Sequence, residues 1–156
     1  MNVTPESIKN AVISKGYTWF NDHVNKGYDV NIVGIRNSDT DPGSHWVKNI
    51  LSEKGVAILK PGQYRGSHKL RLHQGKYLAL GQKKNVTVYR DNNRDANYDL
   101  DESKTETGIF GINIHRATSR AGGKSTQIDK WSAGCQVIAD NDDWHEFLDI
   151  CQSARE

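Results

Sequence analysis

Phe110-Gly111-Ile112-Asn113-Ile114-His115 alternates apolar residues with small or polar ones. A period of two predicts a half-buried strand, with Phe110, Ile112 and Ile114 toward a core and Asn113 and His115 on the other face. Further along stands Trp131-Ser132-Ala133-Gly134-Cys135-Gln136-Val137-Ile138, a turn of small residues running into another short strand. Between them, Arg116 to Lys130 carries Gly122, Gly123, two Ser and two Thr. It reads as a long flexible loop lying over whatever the two ends build.

What those ends can build is a thiol nucleophile. Small side chains at Ser132, Ala133 and Gly134 let a substrate carbonyl approach Cys135. The N–H groups around Gly134 and Cys135 are then candidate donors to an oxyanion. A free thiol, with a pKa of about 8.5, is mostly protonated at neutral pH, so a base is needed, and His115 is the candidate. Either residue alone is commonly structural, since free Cys is among the most buried types. The two together, in this order and in this kind of turn, point to catalysis.

These residues resemble the catalytic motif of the YkuD-like L,D-transpeptidases, cysteine enzymes of peptidoglycan cross-linking. That family carries a histidine at a strand end, a variable loop, then Ser/Thr-His-Gly-Cys. Here His115 is followed by sixteen residues and then Ser132-Ala133-Gly134-Cys135, and Thr107-Gly108-Ile109-Phe110 is similar to the family's lead-in. The resemblance covers Thr105 to Ile138. Three positions depart from it: Arg116 replaces a Gly, Ala133 the second histidine, and Val137 an Arg. The resemblance implies that Cys135 attacks a peptide carbonyl, with His115 as base and then as acid to the leaving amine. Ser132 would hold the turn or orient His115, and Gly134 would contribute to the oxyanion hole. Asn113 would orient the imidazole or contact substrate. Trp131, His73 and Tyr77 are the further candidate substrate-binding residues, with Gln82 as a neighbour in the cleft.

The chain has 156 residues and a formal net charge of +2, with 21 cations against 19 anions. This is the size of a single domain, 1–156, with enough chain for a core. Mean hydropathy is −0.75, but four Trp and six Tyr are too many aromatics for a disordered composition. The near-balance of charge gives no pointer to nucleic acid. No stretch has the roughly twenty apolar residues of a membrane span. Met1 to Lys15 lacks the apolar run of a signal peptide. The expected protein is therefore made in the cytoplasm, acts as a monomer, and reaches the bacterial wall after release, as a phage lysin or a delivered effector.

Along the chain, Thr4-Pro5-Glu6 predicts a helix start and Gly16 its end. Strands are predicted at Asp29 to Arg36, Val56 to Leu59 and Val86 to Tyr89. Leu70 to His73 and Tyr77 to Leu80 flank Gly75 as a hairpin. Asn37 to Ser44 is predicted as a loop. Trp144, Phe147, Leu148 and Cys151 fall at helical spacing and predict a buried stripe on a C-terminal helix. The fold class expected is mainly β (α+β). It is a twisted, sandwich-like sheet with peripheral helices at the N- and C-termini, as the resemblance also implies.

No metal is expected at His45, His68, His73, His115 and Cys135, which lack ligand spacing. Asp91 to Glu102 has acids and amides at calcium-loop positions 1, 3, 5, 9 and 12, but Ala96 stands where the sharp turn needs Gly. A solvated Asp/Asn turn is preferred there to a structural calcium. A Cys135–Cys151 disulfide is open on sequence grounds but would consume the nucleophile. The function expected is acyl transfer on peptidoglycan stem peptides through a Cys135 thioester. The acceptor is water (carboxypeptidase or endopeptidase) or an amine (transpeptidase), with water favoured because the Arg and an export signal are missing. The rival is a wall- or peptide-binding module of the same fold without turnover.

Overall fold

Alternating and β-branched runs become strands, and the turns between them are set by residues that accept positive φ. The computed structural model describes residues 10, 13–14, 38–39, 42–50, 52–95, 97–126, 130 and 132–153. Its strands are β1 (Ser38–Asp39), β2 (Val56–Leu59), β3 (His68–His73), β4 (Tyr77–Gln82), β5 (Val86–Asp91), β6 (Thr105–Gly108), β7 (Ile114–Arg116) and β8 (Gln136–Ile138). Two helices are α1 (Ser44–Lys48) and α2 (Asn141–Ser153), and a 3-10 turn spans Glu102–Lys104. The architecture is mainly β with short helices. Of the predicted N-terminal helix, residues 10, 13 and 14 are described and helical. The rest of it, and the predicted strand from Asp29 to Arg36, lie outside the described residues.

The strands form two sheets, one in the order β1-β8-β7-β4-β3 and one in the order β2-β5-β6. The β3–β4 hairpin pairs His73 with Tyr77, and its turn carries Gln74 at φ 51° and Gly75 at φ 71°. Two consecutive positive φ values match the right-handed twist of the flanking strands, and Gly75 relieves the strain. β7 and β8 run parallel, Ile114 beside Gln136 and His115 beside Val137. A parallel pair needs a long crossover, and here the chain from Ala117 to Cys135 supplies it.

Three apolar clusters hold these layers. Trp144, Phe147 and Leu148 of α2 pack on Ala79, Ile114 and Ile138 of the larger sheet, with Cys151 at the margin. The predicted stripe is therefore the buried face, each fully buried large side chain stabilising by about 1.5–3 kcal/mol. Asp140 starts that helix, its carboxylate accepting the N–H of Asp142 at 2.9 Å. Val47 of α1 packs with Val56, Ile58 and Tyr89, and Leu59, Val86 and Val88 pack with Ile112.

Three sequence expectations need correction. Asn37 to Ser44 is not wholly a loop: Ser38 and Asp39 pair antiparallel with Ile138 and Val137, and Ser44 opens α1. Phe110 to Asn113 is not ladder strand. Gly111 turns the chain at φ 76°, and the Phe110 and Ile112 N–H groups donate to Gln82 Oε1, both at 3.0 Å. Residues 116–126, the described stretch after His115, are also not loose. Gly123 N–H donates to Arg120 O, Ser125 N–H to Ala139 O and Asn141 N–H to Gly123 O, tying the stretch to the start of α2.

Candidate active site

The parallel β7–β8 pair sets the site. Gln136 N–H donates to Asn113 O at 2.8 Å, so the ladder runs one step past the strands and brings Cys135 beside Asn113. Side chains two apart on a strand share a face, so Cys135 and His115 stand on one face, one strand over and two residues along. The Cys135 thiol sits against backbone: the Asn113 N–H points at Sγ from 3.5 Å, and Sγ donates toward Gly111 O at 3.6 Å. Burial pushes this thiol up, and the Asn113 N–H only partly offsets that.

His115 is buried, and its Nδ1 lies 2.9 Å from Arg116 O. A carbonyl only accepts, so Nδ1 carries the proton and Nε2 keeps its lone pair. Burial pulls the imidazole down, against the smaller upward effect of that hydrogen bond. With the thiol raised and the imidazole lowered, the resting pair is neutral thiol and neutral imidazole. A thiol and imidazole in these states would react by general-base transfer rather than through a standing thiolate.

A wall of rings backs the imidazole. His73 stacks on His115 with centroids 4.6 Å apart and planes at 24°. Tyr77 lies 5.4 Å from His73, and the Arg116 guanidinium sits 4.2 Å over the Tyr77 ring. His73 and Tyr77, expected near substrate from sequence, are thus brought to the candidate base. Trp131 lies outside the described residues.

The turn is held by Ser132. Its buried hydroxyl donates to Cys135 O at 2.8 Å and accepts the Gly134 N–H at 3.0 Å. Ser132 thus has the turn-holding role and makes no hydrogen bond to His115. The Gly134 N–H is engaged there, which leaves the Cys135 N–H, unpartnered among the described residues, as the turn's donor to an oxyanion. Gly134 itself has φ 130°, and a Cβ on it would meet Ala57 O at 2.4 Å. Only glycine lets the turn lie this close to β2.

Asn113 does not orient the imidazole. Its Oδ1 accepts Gln82 N–H at 3.1 Å and Arg71 Nη2 at 3.2 Å. Arg71 reaches it by lying across Gly81, where a Cβ would fall 1.7 Å from Nε. Gln82 is likewise no cleft residue. Beyond its bonds to Phe110 and Ile112, its Nε2 donates to Lys84 O and Gly108 O, both at 2.9 Å. Arg71, Arg116 and the Gly111 carbonyl were not anticipated. The one signal for Arg71 was the bare Gly81 on the neighbouring strand.

No protein-family model, curated protein or solved structure matches the chain.

Among the described residues, no three His, Cys, Asp or Glu side chains converge as a metal site. In the Asp91 to Glu102 loop the acids bond backbone instead. Asp91 accepts the Asn93 and Asp99 N–H groups, Asn93 Oδ1 that of Asp95, and Asp95 Oδ1 that of Asn97. Glu102 accepts from Lys60 and Tyr89. This is a ladder of Asx turns. Cys135 and Cys151 are both free thiols. Among the described residues no helix is long and apolar enough to cross a membrane.

Proposed function

We propose that the chain is a YkuD-like cysteine enzyme that acts on peptidoglycan stem peptides through a thioester on Cys135. The observation that supports this reading is that the β7–β8 register puts Cys135, one residue before β8, on the same sheet face as His115, whose Nδ1 donates to Arg116 O and leaves Nε2 unprotonated. In the proposed reaction, Nε2 takes the thiol proton as Sγ bonds to the carbonyl carbon. The Cys135 N–H stabilises the oxyanion, and the imidazolium returns the proton to the leaving amine. Water then hydrolyses the thioester, regenerating the thiol; an amine in its place gives transpeptidation. Hydrolysis is the favoured outcome. The two-sheet, mainly β layout is compatible with the twisted sandwich of that reading, and action at the wall as a released lysin or effector belongs to the same proposal.

The rival, a binding module without turnover, draws support from the thiol's contact with the Gly111 carbonyl rather than an imidazole nitrogen. Intact-protein mass spectrometry after brief mixing with stem peptides separates the two. An acyl adduct on wild type that is absent from Cys135→Ala supports the enzyme. No adduct and no product over several stem chemistries favours the binder.

A further inference from the structure

A cavity of about 300 Å³ lies behind the cysteine turn, lined by Trp46, Val56, Ala57, Phe110, Ala133 and Arg90. Both chain segments that flank the thiol border it. Phe110 precedes the Gly111 whose carbonyl faces Sγ, and Ala133 belongs to the turn that ends at Cys135. The close approach of Gly134 to the Ala57 carbonyl keeps this wall next to β2. A second cavity, of about 400 Å³, is lined by Lys54, Arg90, Asn92, Lys104, Thr105 and Glu106. Arg90 lines both, and the first cavity is the cleft beside the cysteine turn.

Three cations, Lys54, Arg90 and Lys104, line the second cavity with one carboxylate, Glu106, and Lys104 Nζ also lies 4.0 Å from Asp101 Oδ2. Glu106 accepts from Lys54 Nζ at 3.0 Å and Arg90 Nε at 2.9 Å. The Arg90 guanidinium is held over Phe110, 4.8 Å from the ring centroid, with Nη1 3.4 Å from Gly55 O. It is pre-set rather than floppy, and its fork presents more N–H donors than these contacts consume. The cavity beside the cysteine turn is lined mostly by apolar and aromatic side chains, and the second cavity by more basic ones.

From this arrangement we infer that the cleft is a substrate subsite for an acidic peptide residue, its aliphatic part against Trp46 and Phe110 and its carboxylate at Arg90. This rests on the proposed reaction at Cys135 and adds the class of peptide it takes. The carboxylate displaces no partner of Arg90; it adds to the charge-assisted contacts there, with Lys54 and Lys104 of the neighbouring cavity adding a positive field that their pairing with Glu106 and Asp101 reduces.

The test titrates the full chain with N-acetyl-alanyl-glutamate and with its diamide, following binding by calorimetry. The acid is expected to bind about tenfold tighter than the diamide, a preference that weakens with added salt. Arg90→Gln is expected to erase the preference. Because Arg90 also braces β5, Lys104→Gln serves as an exposed second variant expected to weaken the acid alone. Ala133→Leu, which fills the cavity, is expected to weaken both probes. Equal affinity for the two probes, no saturable binding of either, or a preference that survives Arg90→Gln in folded protein overturns the inference. Turnover on stem peptides is read separately. A carboxylate preference without turnover sinks the reaction and leaves the anion cleft, whereas turnover without the preference sinks only the subsite.

Discussion

The imidazole of His73 lies stacked on that of His115, with ring centroids 4.6 Å apart. Two stacked imidazoles at that distance cannot both be charged cheaply, and His73 also lies beside a Tyr77 ring already capped by Arg116. Burial holds His68, His73 and His115 all below their ordinary value of 6.5; at His73 the nearby His115 and Arg71 charges push the same way.

That arrangement sets a pH dependence of stability. Where a histidine's folded value is lowered, the unfolded chain binds more protons as pH falls past 6.5, so stability falls too. The thermal midpoint is expected to be flat above about pH 7.5 and to drop between about pH 6.5 and about pH 5. His73→Phe, which keeps a ring in the stack but removes a titrating group, flattens the slope. A midpoint that holds or rises on acidification contradicts three neutral rings.

The neutral thiol–imidazole pair predicts how Cys135 labels. Since the thiol is pushed up by burial, its alkylation rate by iodoacetamide climbs with pH beyond the usual thiol range. With His115 as base, His115→Ala slows labelling of Cys135 by at least about tenfold and leaves Cys151 unchanged. Peptide mapping of the two cysteines over time gives the answer. Identical Cys135 rates in the variant and wild type remove His115 from the role of base.

Gly134→Ala tests the turn. Its Cβ meets the Ala57 carbonyl and the residue is forced to φ 130°, so the cost is expected at about 2 kcal/mol or more. Gly75→Ala, at φ 71° with nothing within 4 Å, is the comparison, and about 1 kcal/mol is expected there. Chemical denaturation of both variants measures the difference. Equal costs place the strain in φ alone and not in the approach to β2.

The Gln82 side chain makes four hydrogen bonds, one to Lys84 O and three that hold Gly108 to Ile112 in place. Gln82→Met removes them at nearly constant volume and strands buried N–H groups, at about 2–3 kcal/mol. The loss reaches the site because Gly111 and Asn113, which contact the thiol, lie in and beside that segment. Unchanged Cys135 chemistry with only a small stability change would show the segment to be held by its packing.

Several elements were legible because one local signal decided each. β2 ends where Pro61-Gly62 predicts, Gly75 marks the hairpin, and the α2 stripe follows from helical spacing. The His115 strand was legible only at its end. Period two in Phe110 to His115 suits a strand equally well, and nothing local says that Gln82, far along the chain, takes its N–H groups. The pairing of Ser38–Asp39 with β8 was hidden for a similar reason, since Asn, Ser and Asp read as loop until a partner strand supplies the ladder. At the site, the thiol and the base were legible as residue types. Which N–H groups remain free was not, because the Ser132 hydroxyl that engages Gly134 depends on the turn's folded geometry.

The most direct measurement is mass spectrometry of purified muropeptides incubated with wild type and Cys135→Ala. The account predicts that wild type alone releases a terminal residue or cuts a cross-link, with new dimers or exchanged amino acids as the mark of transpeptidation. Identical muropeptide profiles from both proteins, across several wall chemistries, contradict it.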